Sequence, residues 1–227
     1  MLARPSQLRT GAKEILAMIC RLCRQEKPLR KSHIFPEWLY EPLYDARNHR
    51  FNVISTNVRK RKSTRPTGIY EKLFCDECEG KLSVWEGYAR DIFYCPQLKL
   101  IEDNRKIVFS KVQYVPFKLF QMSLLWRASI TRRPEVPSID LGPHAERMRM
   151  MLFEKRPGKP YEYGSILLLP SIDQNLMQQF LYPPELLPTK IDSHTAYRAS
   201  FGGMFWIFIV SNHSERLPHK AVFLSKE

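Results

Sequence analysis

The chain has 227 residues, 44% of them hydrophobic and 26% charged, which is enough apolar material for a core and excludes a disordered chain. Its 36 Lys and Arg against 23 Asp and Glu leave a net charge of +13, which points to a polyanionic partner, most simply a nucleic acid, DNA or RNA. A soluble basic protein without such a partner is the plainer alternative, and the longest apolar run, Met204 to Val210, falls well short of the ~20 residues a membrane span needs.

Residues 1–13 read as a flexible lead-in, and Ile15 to Ile19 deliver the chain to a first knuckle, Cys20-Arg-Leu-Cys23. A second knuckle, Cys75-Asp-Glu-Cys78, follows after 51 intervening residues. A Cys-x-x-Cys turn presents two thiolates from one tight bend, so Cys20, Cys23, Cys75 and Cys78 together predict a closed tetrahedral zinc site. Reduced thiol pairs or disulfides are the competing reading. No signal peptide is read at the N-terminus, so a cytoplasmic location is expected, where reduced thiols serve a metal.

Between the knuckles lie Arg24, Lys27, Arg30 and Lys31, of which Arg30 and Lys31 are candidate nucleic-acid-binding residues, then Ser32-His33-Ile34-Phe35-Pro36 and an aromatic turn or short helix from Glu37 to Tyr44 that Pro36 can start. Residues 51–56 have strand character. They run into the most basic stretch of the chain, 57–68, which carries Arg59, Lys60, Arg61, Lys62 and Arg65; its Pro and Gly predict a loop free to reach phosphates, or simply a solvated one. After the second knuckle, Leu82, Trp85, Ala89 and Phe93 fall at helical spacing, as expected of a helix leaving a treble-clef zinc knuckle and packing over it.

Past Cys95 the pattern changes, with a domain boundary expected in residues 95–106. Residues 106–115 alternate like a strand, Pro116 introduces an apolar-faced helix to Ile130, and residues 141–153 form another helix with Met148, Met151 and Leu152 as core. Strands are expected at 165–169, at 180–182 and at 196–201, the last joined through Gly202-Gly203 to 204–210 as a hairpin or bulge. The fold class is therefore α+β: a zinc-stapled domain over residues 14–95 and a second α+β domain over 106–227. His144, His194, His213, His219 and Cys95 have no partners at a recognisable spacing and are read as structural or surface residues.

The order Cys-x-x-Cys, Ser-His-Ile-x-Pro, Cys-x-x-Cys-Glu resembles the HNH, or ββα-metal, endonucleases, in the branch stapled by four cysteines around a structural zinc. The whole chain also resembles a group of bacterial proteins with these three motifs, while the HNH likeness itself covers about residues 14–94. It implies that His33 is the general base on the attacking water. Ser32 stands where the family has a metal-binding aspartate, and Glu79 stands at the last ligand position for a catalytic Mg²⁺ or Mn²⁺. Asn48, Asn52 and Asn57 are the available counterparts of the middle asparagine, with His49 as a further ligand candidate and Glu86 one helical face beyond Glu79. The 41 residues between His33 and Cys75 imply an insertion carrying the basic loop.

The implied function is metal-dependent cleavage of DNA phosphodiester bonds, in bacterial defence or a mobile element, with the second domain supplying a protein-partner or specificity surface. The alternative is a catalytically inactive zinc-dependent nucleic-acid-binding or protein-interaction module. In that case His33 braces the loop before Pro36, and Glu79 is an acid favoured by a helix N-terminus.

Overall fold

The structure, a computed structural model, describes residues 18–53, 63–94, 99–100, 107–108, 112–168, 180–187, 190–191 and 193–212. The first knuckle is the turn of a small antiparallel hairpin, β1 (Met18–Ile19) and β2 (Glu26–Lys27). β3 (Leu29–His33) follows, then two single 3-10 turns, Glu37–Leu39 and Glu41–Leu43, the first with Pro36 as its N-cap. β4 (Phe51–Val53) and β5 (Ser63–Arg65) form a second hairpin, so the end of the expected basic loop is strand: Arg65 pairs in register with Phe51. Residues 54–62 lie outside the described residues.

β6 (Tyr70–Cys75) returns antiparallel to β3, and α1 (Asp76–Phe93) begins inside the second knuckle. The sequence reading places that helix later, from Gly80. Asp76, Glu77 and Glu79 fill its first turn, where negative charge suits the positive end of the helix dipole. Its buried stripe is Cys78, Leu82, Trp85 and Ala89, three or four residues apart, as a one-sided core contact requires.

β7 (Lys99–Leu100) and β8 (Ile107–Val108) pair antiparallel. The strand expected over 106–115 gives way to helix at its end, because α2 (Tyr114–Ile130) already includes Tyr114 and Val115. Pro116 therefore sits in the first turn, where an amide has no intrahelical acceptor to lose. α2 is also buried on every side from Phe117 to Ala128, not on one face as the sequence pattern predicts. The reason is its position. Phe74 stacks on Trp126 at 5.8 Å and Trp38 on Phe120 at 6.0 Å from the knuckle side, while Trp206 meets Phe120 at 6.3 Å from the sheet side.

α3 (His144–Phe153) buries Met148, Met151 and Leu152, as predicted. The last layer is a four-stranded antiparallel sheet of β9 (Ser165–Leu168), β10 (Tyr182–Leu186), β11 (Thr195–Phe201) and β12 (Met204–Val210), in the order β10-β11-β12-β9. Gly202 and Gly203, at φ of 58° and 79°, close the β11–β12 hairpin in the left-handed conformation that a two-residue turn of this hand needs. β10 lies later than the predicted 180–182 and runs through Pro183 and Pro184. Prolines are tolerated there because β10 is an edge strand, and the register shifts between Tyr182 and Glu185 where they sit.

The fold is thus mixed α+β, and one cluster of buried side chains runs from Cys20 to Val210. Of the expected boundary at 95–106, only Lys99–Leu100 is described. Among the described residues no helix is long and apolar enough to cross a membrane.

Candidate metal centre

Each pair of cysteines is held by its own backbone turn. In the first, Cys20 N–H donates to Gln25 O at 2.9 Å, Arg24 N–H donates to Cys20 O at 2.9 Å, and Arg24 takes a left-handed φ of 63° to close the turn. Arg21 N–H donates to Leu73 O at 2.9 Å and so fastens this knuckle to β6. In the second, Cys75 ends β6 and Cys78 lies in the first turn of α1. The two knuckles meet directly: Cys75 N–H donates to Cys20 Sγ at 3.3 Å.

The four sulfurs all lie within 4.8 Å of one another, and the four cysteines are free thiols, not disulfides. Thiolates ~2.3 Å from a tetrahedral zinc stand about 3.8 Å apart. Cys23 Sγ and Cys75 Sγ are 3.9 Å apart. Cys20, Cys75 and Cys78 are buried and Cys23 is half-buried, so the set could hold a metal ion such as zinc with no position open to solvent chemistry.

The electrostatics of the bare thiols agree. Cys20 is held down to about 4, chiefly by the hydrogen bond from the Cys78 thiol and also by neighbouring backbone amides, with burial opposing. Cys78 is pushed far up because it gives that hydrogen bond and is itself buried, and burial also pushes Cys75 up. One thiolate therefore leans on its neighbours' protons. Four thiolates in so small a volume need a cation among them.

Behind the cysteines, β3, α1 and α2 share a polar network in which Ser32 and Arg127 are buried and Glu79 and Glu86 half-buried. Ser32 has no exposed surface, and its hydroxyl donates to Glu79 Oε2 at 2.7 Å. Burial pushes the Glu79 carboxyl up, while the Ser32 hydroxyl and the Arg127 charge pull it down. Glu86, two turns along the same face of α1, accepts from Arg127 Nη1 at 2.5 Å. Arg127 is 1% exposed; the same Nη1 donates to His33 O at 3.0 Å, and Nε donates to Ser123 O at 3.4 Å.

Ser32 and Glu79, each a metal-ligand candidate through the resemblance, meet in the structure. His33, the next residue of the strand, turns its ring to the other face. There its Nε2 pairs with Glu37 Oε2 at 2.9 Å, and the other Glu37 oxygen accepts from the Tyr44 hydroxyl. Tyr44 in turn stacks on His49 at 4.1 Å, which occupies that histidine as a ring partner. Asn48 and Asn52 are exposed, the first with its backbone N–H on Asp45 Oδ1, and Asn57 lies outside the described residues.

Of the cations expected to bind nucleic acid, Arg30 and Arg65 have acidic partners within the chain. Arg30 pairs with Asp76 at 2.7 Å, and its basic neighbours Lys27 and Arg24 pair with Glu77 at 2.9 Å and Glu146 at 3.2 Å. Arg65 pairs with Glu135, which also takes Arg133 at 3.0 Å. Lys31 instead places its ammonium 5.1 Å from the centre of the Tyr70 ring. Arg59, Lys60, Arg61 and Lys62 lie outside the described residues.

Arg127 and Glu37 are the residues that sequence reasoning missed. Arg127 sits 94 residues from His33 inside an apolar run, where nothing marks it as polar glue. Glu37 stands four residues after His33, and that spacing was the available signal. No protein-family model, curated protein or solved structure matches this chain.

Proposed function

We propose that this chain is a zinc-stapled nucleic-acid-binding module of HNH-like, treble-clef design that does not itself cut the phosphodiester bond. Cys20, Cys23, Cys75 and Cys78 would hold the Zn²⁺, which supplies structural cross-linking between the first hairpin and the β6–α1 junction. The return of β6 beside β3, with α1 leaving the second knuckle, is the layout this reading requires.

The observation that carries it is the closed network at Ser32. A catalytic Mg²⁺ takes about six oxygen ligands and keeps several waters. Ser32 is wholly buried and committed to Glu79, and the charge beside Glu79 and Glu86 is the guanidinium of Arg127, itself buried and bonded on both sides. A side-chain cation thus stands beside the two carboxylates that a hard metal would need. The net charge of +13 supplies the general attraction for a polyanion.

One observation favours the second reading, an HNH endonuclease. Glu37 Oε2 lies 2.9 Å from His33 Nε2, and His33 keeps 34% of its side chain exposed, as a general base needs. In that reading His33 would take the water proton and Ser32 and Glu79 would hold Mg²⁺ or Mn²⁺, which requires Arg127 to withdraw and the His33 ring to cross from the opposite face of β3.

Incubation with supercoiled plasmid in Mg²⁺, Mn²⁺ or EDTA, followed on gels, separates the two. The module reading predicts retardation of the plasmid and no nicking in any metal. Metal-dependent nicking that His33→Ala abolishes establishes the nuclease instead. No retardation at low salt removes the nucleic-acid reading.

A further inference from the structure

We propose that the solvent face of the β3–β6 ribbon binds the phosphate backbone of duplex DNA, with Lys31 and Lys72 as its phosphate contacts. The proposal rests on the nucleic-acid reading above and names the surface that would carry it.

The argument starts from register. Lys31 stands directly opposite Lys72, and His33 directly opposite Tyr70. Side chains two apart on a strand share a face, so these four residues lie together on one side of the ribbon. Ser32, between Lys31 and His33, points the other way and is buried. Lys31 and Lys72 are both exposed.

Two like charges facing each other across an antiparallel pair repel and destabilise the ribbon. Four cations of the same half are neutralised within the chain: Lys27 on Glu77, Arg30 on Asp76, Arg24 on Glu146 and Arg65 on Glu135. Among the described residues neither Lys31 nor Lys72 has a carboxylate partner. The repulsion is left standing on an exposed face of an otherwise matched neighbourhood, and an external anion is what would relieve it.

The ribbon also has the right form. A phosphate backbone asks for cations held at fixed positions, and Lys31 is steadied by the Tyr70 ring 5.1 Å away, which keeps its ammonium from collapsing onto an acid. A two-stranded ribbon is one of the elements that a DNA major groove admits. The Tyr70 ring, edge-on to His33 at 6.2 Å, gives the same face a firm aromatic floor.

The test is the salt dependence of binding to a short DNA duplex by fluorescence anisotropy. It compares the full-length protein, Lys31→Gln/Lys72→Gln, and Arg198→Gln as a control on the exposed side of β11. Each lost phosphate contact lowers the slope of log K against log salt by about 0.9, so the double variant should lose about 1.8 and bind about tenfold more weakly at moderate salt. Its melting temperature should equal or exceed the wild type's, because a repulsion has gone, and Arg198→Gln should keep the wild-type slope. A double variant with unchanged slope and affinity, beside a wild type that binds, overturns this surface while leaving the nucleic-acid reading intact. A wild type that does not bind the duplex at low salt overturns both.

Discussion

Arg127 joins more of the chain than any other side chain near the cysteines. It spans Glu86 on α1, the His33 carbonyl on β3 and Ser123 on its own helix, with 1% of its surface exposed. A buried pair adds little over a well-packed apolar pair, but removing one partner leaves the other charge uncompensated. Arg127→Met should therefore lower stability by ~3 kcal/mol or more in urea denaturation, and Glu86→Gln on top of it should cost much less than Glu86→Gln alone. Additive single effects would show that the pair is not coupled.

Lys118 makes a different case of buried charge. It is 2% exposed, donates to Tyr163 O at 2.9 Å and Pro160 O at 3.1 Å, and is pushed by burial from 10.5 to about 7, with Glu162 opposing. Between those values the unfolded chain holds a proton that the folded chain has lost. Stability contributed by this group is thus complete above pH 10.5 and lost as pH falls to about 7. Lys118→Met should flatten that slope of stability against pH while lowering overall stability, since two carbonyls lose their donor. A slope unchanged in the variant would assign the dependence to other groups.

At the scale of elements, what could be read depended on whether the signal was local. Gly202-Gly203 between two apolar runs identifies the β11–β12 hairpin, and three-and-four spacing identifies the buried stripe of α1 and the core methionines of α3. β10 runs beyond the expected 180–182 because Pro183 and Pro184, which would break a central strand, are tolerated at the edge of the sheet. α2 was half understood: its apolar length is visible, but burial on all sides comes from the neighbours that enclose it. The cysteine cluster was legible because both knuckles are local turns. The resemblance singles out Ser32 and Glu79 but not the hydrogen bond between them, and Arg127 has no local signal at all, because its partners lie on β3 and α1.

For the whole molecule, α2 is the piece that makes the two halves one body of packing. Phe74, Trp38 and Phe93 come from the cysteine-bearing half and Trp206 from the sheet, with Trp126, Phe120 and Phe117 of α2 between them; Phe93 and Trp206 also stack directly at 5.9 Å. Each large apolar side chain buried in this way contributes roughly 1.5–3 kcal/mol. The first hairpin has much less. β1 and β2 are two residues each, and Met18 and Ile19 are exposed, so buried Cys20 and Leu22 anchor it, and a metal held by the four cysteines would add to them.

The account therefore stands most directly on metal content. Elemental analysis of protein purified without chelators should find one zinc per chain. Stripping it with a strong chelator should melt the first hairpin and weaken plasmid retardation, and Cys78→Ser should bind the metal poorly and lose stability in the same way. A native protein with no zinc, or one whose near-ultraviolet circular dichroism and plasmid binding survive complete chelation, would contradict it.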